Sequence, residues 1–192
     1  MTKVIGIAGP IGAGKDAVAK ILASKGAIII EADKVGHSLL LPESQISKKV
    51  IKTFGNTIKN KDGSINRKKL AKIVFADRKK LIKLNEITHP AIFEIISNQV
   101  AFEKQKRVKL VVINAALLFE IGFDLVVDEI WLIEAPTELR IARLIKKGYT
   151  KKDAAARIVS QGSFEHFVPH ANQLIVNDGS LASLKKKVLK AL

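Results

Sequence analysis

Short apolar runs rich in β-branched residues alternate along this chain with longer stretches whose apolar positions recur at helical spacing. The runs at 4–8, 27–30, 110–114, 128–133 and 173–176 predict strands. Leu110-Val-Val-Ile113 is apolar at every position, the pattern of a strand covered on both faces, as in a parallel sheet. Helical patterns occupy 15–25, 33–40, 137–147, 151–161 and 181–192. This alternation predicts an α/β fold of three layers, a five-stranded, mainly parallel sheet between helices, with ligands at the carboxyl ends of the strands.

The interval 42–106 breaks the rhythm. It holds no convincing strand, and its helical segments fall at 44–54, 66–76, 77–87 and 90–103, with the turn Asn60-Lys-Asp-Gly-Ser64 between the first two. It reads as a helical insertion between the second and third strands, covering the acceptor side of a cleft. Residues 137–161 read as a hinged pair of basic helices, the form of a lid, within a single domain spanning 1–192.

The first strand runs directly into Gly9-Pro-Ile-Gly-Ala-Gly-Lys-Asp16. Gly9, Gly14 and Lys15 hold the spacing of a phosphate-binding loop, G-x-x-x-x-G-K-[ST]. Glycines let the backbone curl so that successive N–H groups point at phosphate oxygens, and the following helix adds its positive end. Lys15 supplies a mobile charge for the β- and γ-phosphates. Gly12, Ala13, Gly14, Lys15, Asp16 and Ala17 are therefore the expected ATP-binding residues. The position after the lysine is ordinarily a hydroxyl that ligates magnesium, and here it is Asp16. Either an acidic residue simply suits the first turn of a helix, or the metal site is rebuilt around Asp16 as a ligand for Mg2+.

A hydrophobic fraction of 47% and a charged fraction of 27% describe an ordinary soluble globule. No apolar run reaches the length of a membrane span, and Met1-Thr-Lys leads straight into a strand, so neither a membrane segment nor a signal peptide is expected. The absence of cysteine excludes disulfides and thiolate metal sites and suits a cytoplasmic address. The net charge of +15 has three readings: a general lysine bias, a basic cleft that concentrates polyphosphate substrates, or nucleic acid. Lysine is spread over every segment and aromatics are only 5%, so stacking platforms are poorly supplied and no nucleic-acid partner is expected. The chain is expected to be a monomer or a weak homo-oligomer.

Ile28-Ile-Ile-Glu-Ala-Asp33 ends the second strand with two carboxylates. Asp33 is placed to take a proton from an acceptor hydroxyl, or to cap the next helix, and the two are compatible. Arg67 either holds acceptor phosphate or belongs to a solvated helix start. His89-Pro90 sits at an expected helix junction, which favours His89 as a cap or packing residue over a substrate contact. Glu120 either lines the cleft or is solvated. Arg140, Arg143, Lys146, Lys147 and Arg157 cluster on the two expected lid helices, where cations would stabilise charge on a transferring phosphoryl group; the alternative is a solvated basic face.

Together these residues resemble the dephospho-coenzyme A kinase family, from Ile5 to about Leu184. The Gly9–Asp16 loop is similar to the family's G-x-I-G-x-G-K-S, and Glu31-Ala-Asp33 to its D-A-D. Gly63-Ser-Ile-Asn-Arg-Lys-Lys-Leu70 with Ile73-Val-Phe75 resembles R-x-x-L-x-x-I-V-F. Leu84-Asn-Glu-Ile-Thr-His-Pro-Ala-Ile92 resembles L-x-x-I-x-H-P-x-I, and Leu117-Leu-Phe-Glu120 the end of P-L-L-F-E. Arg143-Leu144, Ala156-Arg-Ile-Val-Ser-Gln161 and Ala171-Asn-Gln-Leu-Ile-Val-Asn177 resemble R-L, R-I-x-x-Q and A-D-x-V-I-x-N.

The resemblance implies transfer of the ATP γ-phosphoryl group to the 3′-hydroxyl of dephospho-coenzyme A, with magnesium. It implies Asp33 as base, with Lys15 and Arg143 as its catalytic companions. Asp33, Arg67, His89 and Glu120 become the substrate-binding candidates. Four departures stand out: Asp16 for serine, Asn114 where an aspartate is expected, Ala116 for proline, and a lid segment at 143–149 one residue short. The first two read as an exchange, a carboxylate moved from the strand end to the loop with the local charge kept. The alternatives are a nucleoside monophosphate kinase, or a catalytically silent nucleotide-binding protein in which Asp16 abolishes metal use.

Overall fold

In the computed structural model, which describes residues 1–161 and 164–192, the chain runs β1 (Lys3–Ala8), α1 (Lys15–Ala23), β2 (Ile28–Glu31), α2 (Ala32–Ser38), α3 (Gln45–Phe54), α4 (Arg67–Phe75) and α5 (Arg78–Gln105). It continues through β3 (Leu110–Asn114), α6 (Leu118–Ile121), β4 (Glu129–Glu134), α7 (Thr137–Lys146), α8 (Lys151–Gln161), β5 (Gln173–Val176) and α9 (Leu181–Ala191). All five strands form one sheet in the order β2-β3-β1-β4-β5, and every neighbouring pair is parallel. β3 is buried at all five positions, as its unbroken apolar run requires.

Because β1 is central and its neighbours β3 and β4 come later in sequence, its carboxyl end lies where the strand order reverses, the usual ligand position of such sheets. In the register, Asn114 stands beside Ile7 on one side and Glu31 on the other, so three strands end level.

The chain forms two compact units: Met1–Glu31 with Val100–Leu192, and Ala32–Gln99. The first contains the sheet and a core in which Ile5, Ile7, Val112, Trp131 and Ile133 of the strands pack with Val18 and Leu22 of α1 and Val188 of α9. The second has its own small core of Val50, Ile58, Ile65, Leu70 and Val74. That unit starts earlier than residue 42, because Leu40, just beyond α2, packs on this core.

Two expectations are corrected within it. Segments 77–87 and 90–103 are one helix, α5, with Pro90 inside it. Proline forfeits the bond to the residue 86 carbonyl, but residues 86 and 90 both lie on an exposed face where water can take up that oxygen. Thr88, Ile92, Ile96 and Val100 are buried and hold the helix on either side of the proline. His89 is therefore a mid-helix residue and not a cap at a helix junction. Likewise α2 begins at Ala32, so Asp33 sits inside its first turn, favoured by the helix dipole, instead of preceding the helix as a cap.

Candidate active site

The loop between β1 and α1 adopts the curl its glycines allow. Gly9 has φ +149°, and a Cβ there would lie 2.1 Å from the Ile133 carbonyl oxygen. Gly14 has φ +103°, and a Cβ there would lie 2.2 Å from Asn177 Nδ2. No side chain can be added at either point without displacing what holds the loop. Gly14 is the N-cap of α1 and provides no side-chain cap, the form of a helix start kept for an anion. The Lys15 ammonium folds back to donate to the Gly9 carbonyl at 2.8 Å, so it spans the loop it is expected to serve.

The loop is braced from outside by residues of the same unit. Arg143 Nη1 donates to the carbonyls of Gly12 and Ala13, both at 3.1 Å, and its Nη2 to the Asn177 carbonyl at 3.0 Å. The Asn177 amide donates to the Ala13 carbonyl at 2.8 Å. Arg140 Nε donates to the Ile11 carbonyl at 2.8 Å, and the Gln161 side-chain oxygen accepts from the Ile11 N–H at 2.7 Å. Arg143 is expected on a transferring phosphate; in the structure its guanidinium donates to these carbonyls, since a planar five-donor fork satisfies several oxygens at once. Arg140 is buried, and its Nη2 has no hydrogen-bond partner among the described residues; burial lowers its pKa and Glu134 raises it. Neither arginine belongs to a free basic face. Arg157 lies over the Tyr149 ring at 4.8 Å, Lys146 is exposed, and Lys147 reaches Asp16 at 3.6 Å. A cavity of about 500 Å³ opens beside the loop, lined by Pro10, Glu134, Thr137, Arg140, Ile158 and Phe164.

At the level strand ends the amide of Asn114, only 5% exposed, donates from Nδ2 to Asp16 Oδ1 at 3.2 Å and to Glu31 Oε2 at 2.8 Å. The two residues that depart from the loop pattern therefore touch. An aspartate at 114 would place a third carboxylate against the other two; an amide there ties them together. Among the described residues no cluster of three His, Cys, Asp or Glu could hold a metal by itself. The donor set fits magnesium in its usual enzymatic mode, one or two carboxylates supplemented by substrate phosphates. The Asp16 side chain is 67% exposed, and its Oδ2 already draws a cation, Lys147.

In the second unit, Asp33 and His37 are one turn apart on the exposed side of α2. The His37 Nε2 contacts Nη2 of Arg67, the first residue of α4. His89 is partly buried within α5. Glu120, in the first unit, is exposed on α6. Sequence reasoning missed His37, which carries no motif of its own. It quoted Gln161 and Asn177 in motifs without giving them roles, and their amide side chains are the signal that could have done so.

A family model described as dephospho-CoA kinase matches residues 3–183. A dephospho-CoA kinase from Carboxydothermus hydrogenoformans is 38% identical over 190 residues, covering 98% of this chain and 92% of its own. One from Dehalococcoides mccartyi is 40% identical over 187 residues, covering 97% and 94%. Among solved structures, TT1252 from Thermus thermophilus superimposes with a TM-score of 0.78 at 28% identity, over 99% of this chain and 95% of that one. A dephospho-CoA kinase from Campylobacter jejuni gives 0.74 at 27% identity, over 100% and 96%. A shikimate kinase from Acinetobacter baumannii, at 0.56 and 16% identity, shares the kinase fold. With the phosphate-binding loop, its arginine braces and the ordered motifs on one scaffold, this chain belongs to the dephospho-CoA kinase family.

Proposed function

We propose that this chain phosphorylates the 3′-hydroxyl of dephospho-coenzyme A with ATP, giving coenzyme A and ADP. Family membership over residues 3–183 is the observation that carries the substrate assignment; the braced loop carries the donor assignment. The backbone of Gly12, Ala13 and Gly14, with the start of α1 at Lys15, Asp16 and Ala17, holds the ATP phosphates. Lys15 leaves the Gly9 carbonyl for the β- and γ-phosphates. Arg143 is a positioning residue: it fixes the loop's carbonyls on one side so that the N–H groups face the other, and its charge remains near the phosphates.

Asp16, together with the ATP phosphates, would hold magnesium, which would supply neutralisation of charge on the transferring group. Asn114 holds Asp16 and Glu31 so that their carboxylates do not drift apart before the metal arrives. Asp33 accepts the proton of the attacking hydroxyl, and Arg67 holds the acceptor's diphosphate, with His89 and Glu120 as further substrate contacts. The coenzyme-binding insertion expected at 42–106 corresponds to the second unit, Ala32–Gln99, and residues 137–161 form the lid. No helix among the described residues is long and apolar enough to cross a membrane, and a cytoplasmic monomer or weak homo-oligomer fits this reading.

A panel of acceptors tests the substrate. With magnesium and ATP, ADP release is expected with dephospho-coenzyme A and only at background with AMP, adenosine or shikimate. Preference for a nucleoside monophosphate would overturn the assignment.

A further inference from the structure

Arg67 occupies an uncomfortable place. It opens α4, and Lys68 and Lys69 follow it, so three cations and no acidic residue crowd the positive end of that helix. The helix start itself is satisfied by Asn66, whose side chain accepts from the Lys69 N–H at 3.0 Å. Arg67 is therefore not needed as a cap, and its guanidinium turns instead to the Nε2 of His37, on α2.

That contact fixes a protonation state. A guanidinium has five donors and no acceptor, so Nε2 can meet it only with its lone pair, and the ring must be neutral with its proton on Nδ1. A protonated ring would present a donor and a positive charge to Arg67. Among the described residues, the charges acting on the ring are Arg67, across from α4, and Asp33, one turn back on α2. Partial burial and Arg67 hold the His37 pKa below its ordinary value, against Asp33, which raises it. The neutral form, and with it the contact, thus predominates at neutral pH and is lost as pH falls below about 6.5 through the lowered value.

We propose that His37 is a positioning residue for the acceptor: neutral His37 holds the Arg67 guanidinium in a single orientation, ready for the diphosphate of dephospho-coenzyme A, and protonation releases it. The inference rests on the reading of Arg67 as an acceptor contact. An arginine restrained beforehand loses less conformational freedom on binding than one free in solvent, so the gain appears in acceptor KM.

The test is steady-state kinetics for both substrates between about pH 5.5 and 8, with wild type, His37→Gln, His37→Ala and Arg67→Ala. The acceptor's diphosphate is a diester, ionised throughout this range, so it adds no titration of its own. Wild-type KM for dephospho-coenzyme A should rise roughly 3- to 10-fold on the acid side, the effect of one hydrogen bond, while KM for ATP does not follow. His37→Gln, whose amide oxygen accepts at every pH, should lose the acid-side rise. His37→Ala should raise the acceptor KM by roughly the same 3- to 10-fold factor at every pH. A wild-type acid limb in His37→Gln, or a wild-type acceptor KM in His37→Ala, overturns the proposal. Arg67→Ala separates the failures. If it raises acceptor KM while the His37 variants behave as wild type, only the positioning role falls; if it leaves acceptor KM unchanged, the reading of Arg67 falls and the inference with it.

Discussion

Asp16 and Asn114 are coupled through one hydrogen bond, and a double-mutant cycle measures that coupling. In the wild type, Asn114 Nδ2 lies 3.2 Å from Asp16 Oδ1 and 2.8 Å from Glu31 Oε2. The Glu31 bond joins two less exposed groups and is worth about 1.5–3 kcal/mol, as for bonds to charged partners. The Asp16 bond ends on an exposed carboxylate and is discounted to about 1 kcal/mol. Asn114→Asp replaces this second bond by repulsion, about 1 kcal/mol at 3.2 Å even at the dielectric constant of water. Asp16→Ser alone loses the bond. In the double variant the Ser hydroxyl can donate to the new carboxylate, restoring a bond and removing the repulsion from residue 16, while the loss against Glu31 is common to both Asn114→Asp proteins and cancels in the cycle. The pair should therefore couple by roughly 2–3 kcal/mol in urea unfolding, well above the about 0.5 kcal/mol of independent sites. Catalysis should follow: Asp16→Ser lowers kcat/KM by roughly tenfold or more, an effect of at least about 1.4 kcal/mol, and adding Asn114→Asp returns most of it. If both stability and log kcat/KM are additive across the four proteins, the exchange argument is refuted, and Asp16 is only an acidic residue in a helix's first turn.

Asp33→Asn should lower kcat by about 10²–10⁴-fold, the range for a lost general base, with ATP affinity from calorimetry unchanged; normal turnover would reduce Asp33 to a dipole-stabilising residue. Gly9→Ala pushes a methyl against the Ile133 backbone oxygen, an immovable neighbour, at a φ that alanine rarely adopts. About 1–3 kcal/mol of strain and a large loss of ATP affinity are expected, and wild-type binding would show that the loop has another way to curl. Pro90→Ala restores the missing amide of α5, so thermal unfolding should show a gain of about 1 kcal/mol or more; a loss would mean that the helix depends on the proline.

The strands were legible because they are short runs rich in β-branched residues, and in β3, buried at all five positions, that run is the pattern burial on two faces imposes locally. The phosphate-binding loop was legible because Gly9 and Gly14 answer a backbone demand that other residues cannot meet. Pro90 misled because local propensity marks a break, whereas buried Thr88, Ile92, Ile96 and Val100 decide that the helix continues. The bracing contacts of Arg143 were not legible for a related reason. A cation in a pair of basic helices suggests phosphate, but only three dimensions show that carbonyls from Gly12, Ala13 and Asn177 converge on it. The Asn114–Asp16 contact joins residues 98 apart; the exchange of carboxylate and amide is visible in the sequence, the contact only in the fold. His37 was missed because its meaning depends on Arg67, thirty residues away in another helix.

The most direct test of the central claim is to follow phosphorus itself. Purified protein with magnesium, ATP and dephospho-coenzyme A should show, by 31P NMR, one new phosphomonoester resonance on the ribose 3′-oxygen, growing in equal amount with ADP. ADP without that resonance would mean hydrolysis or a different acceptor. Neither product from demonstrably folded protein would mean that Asp16 has left a binder in place of a kinase, and either result would contradict the account.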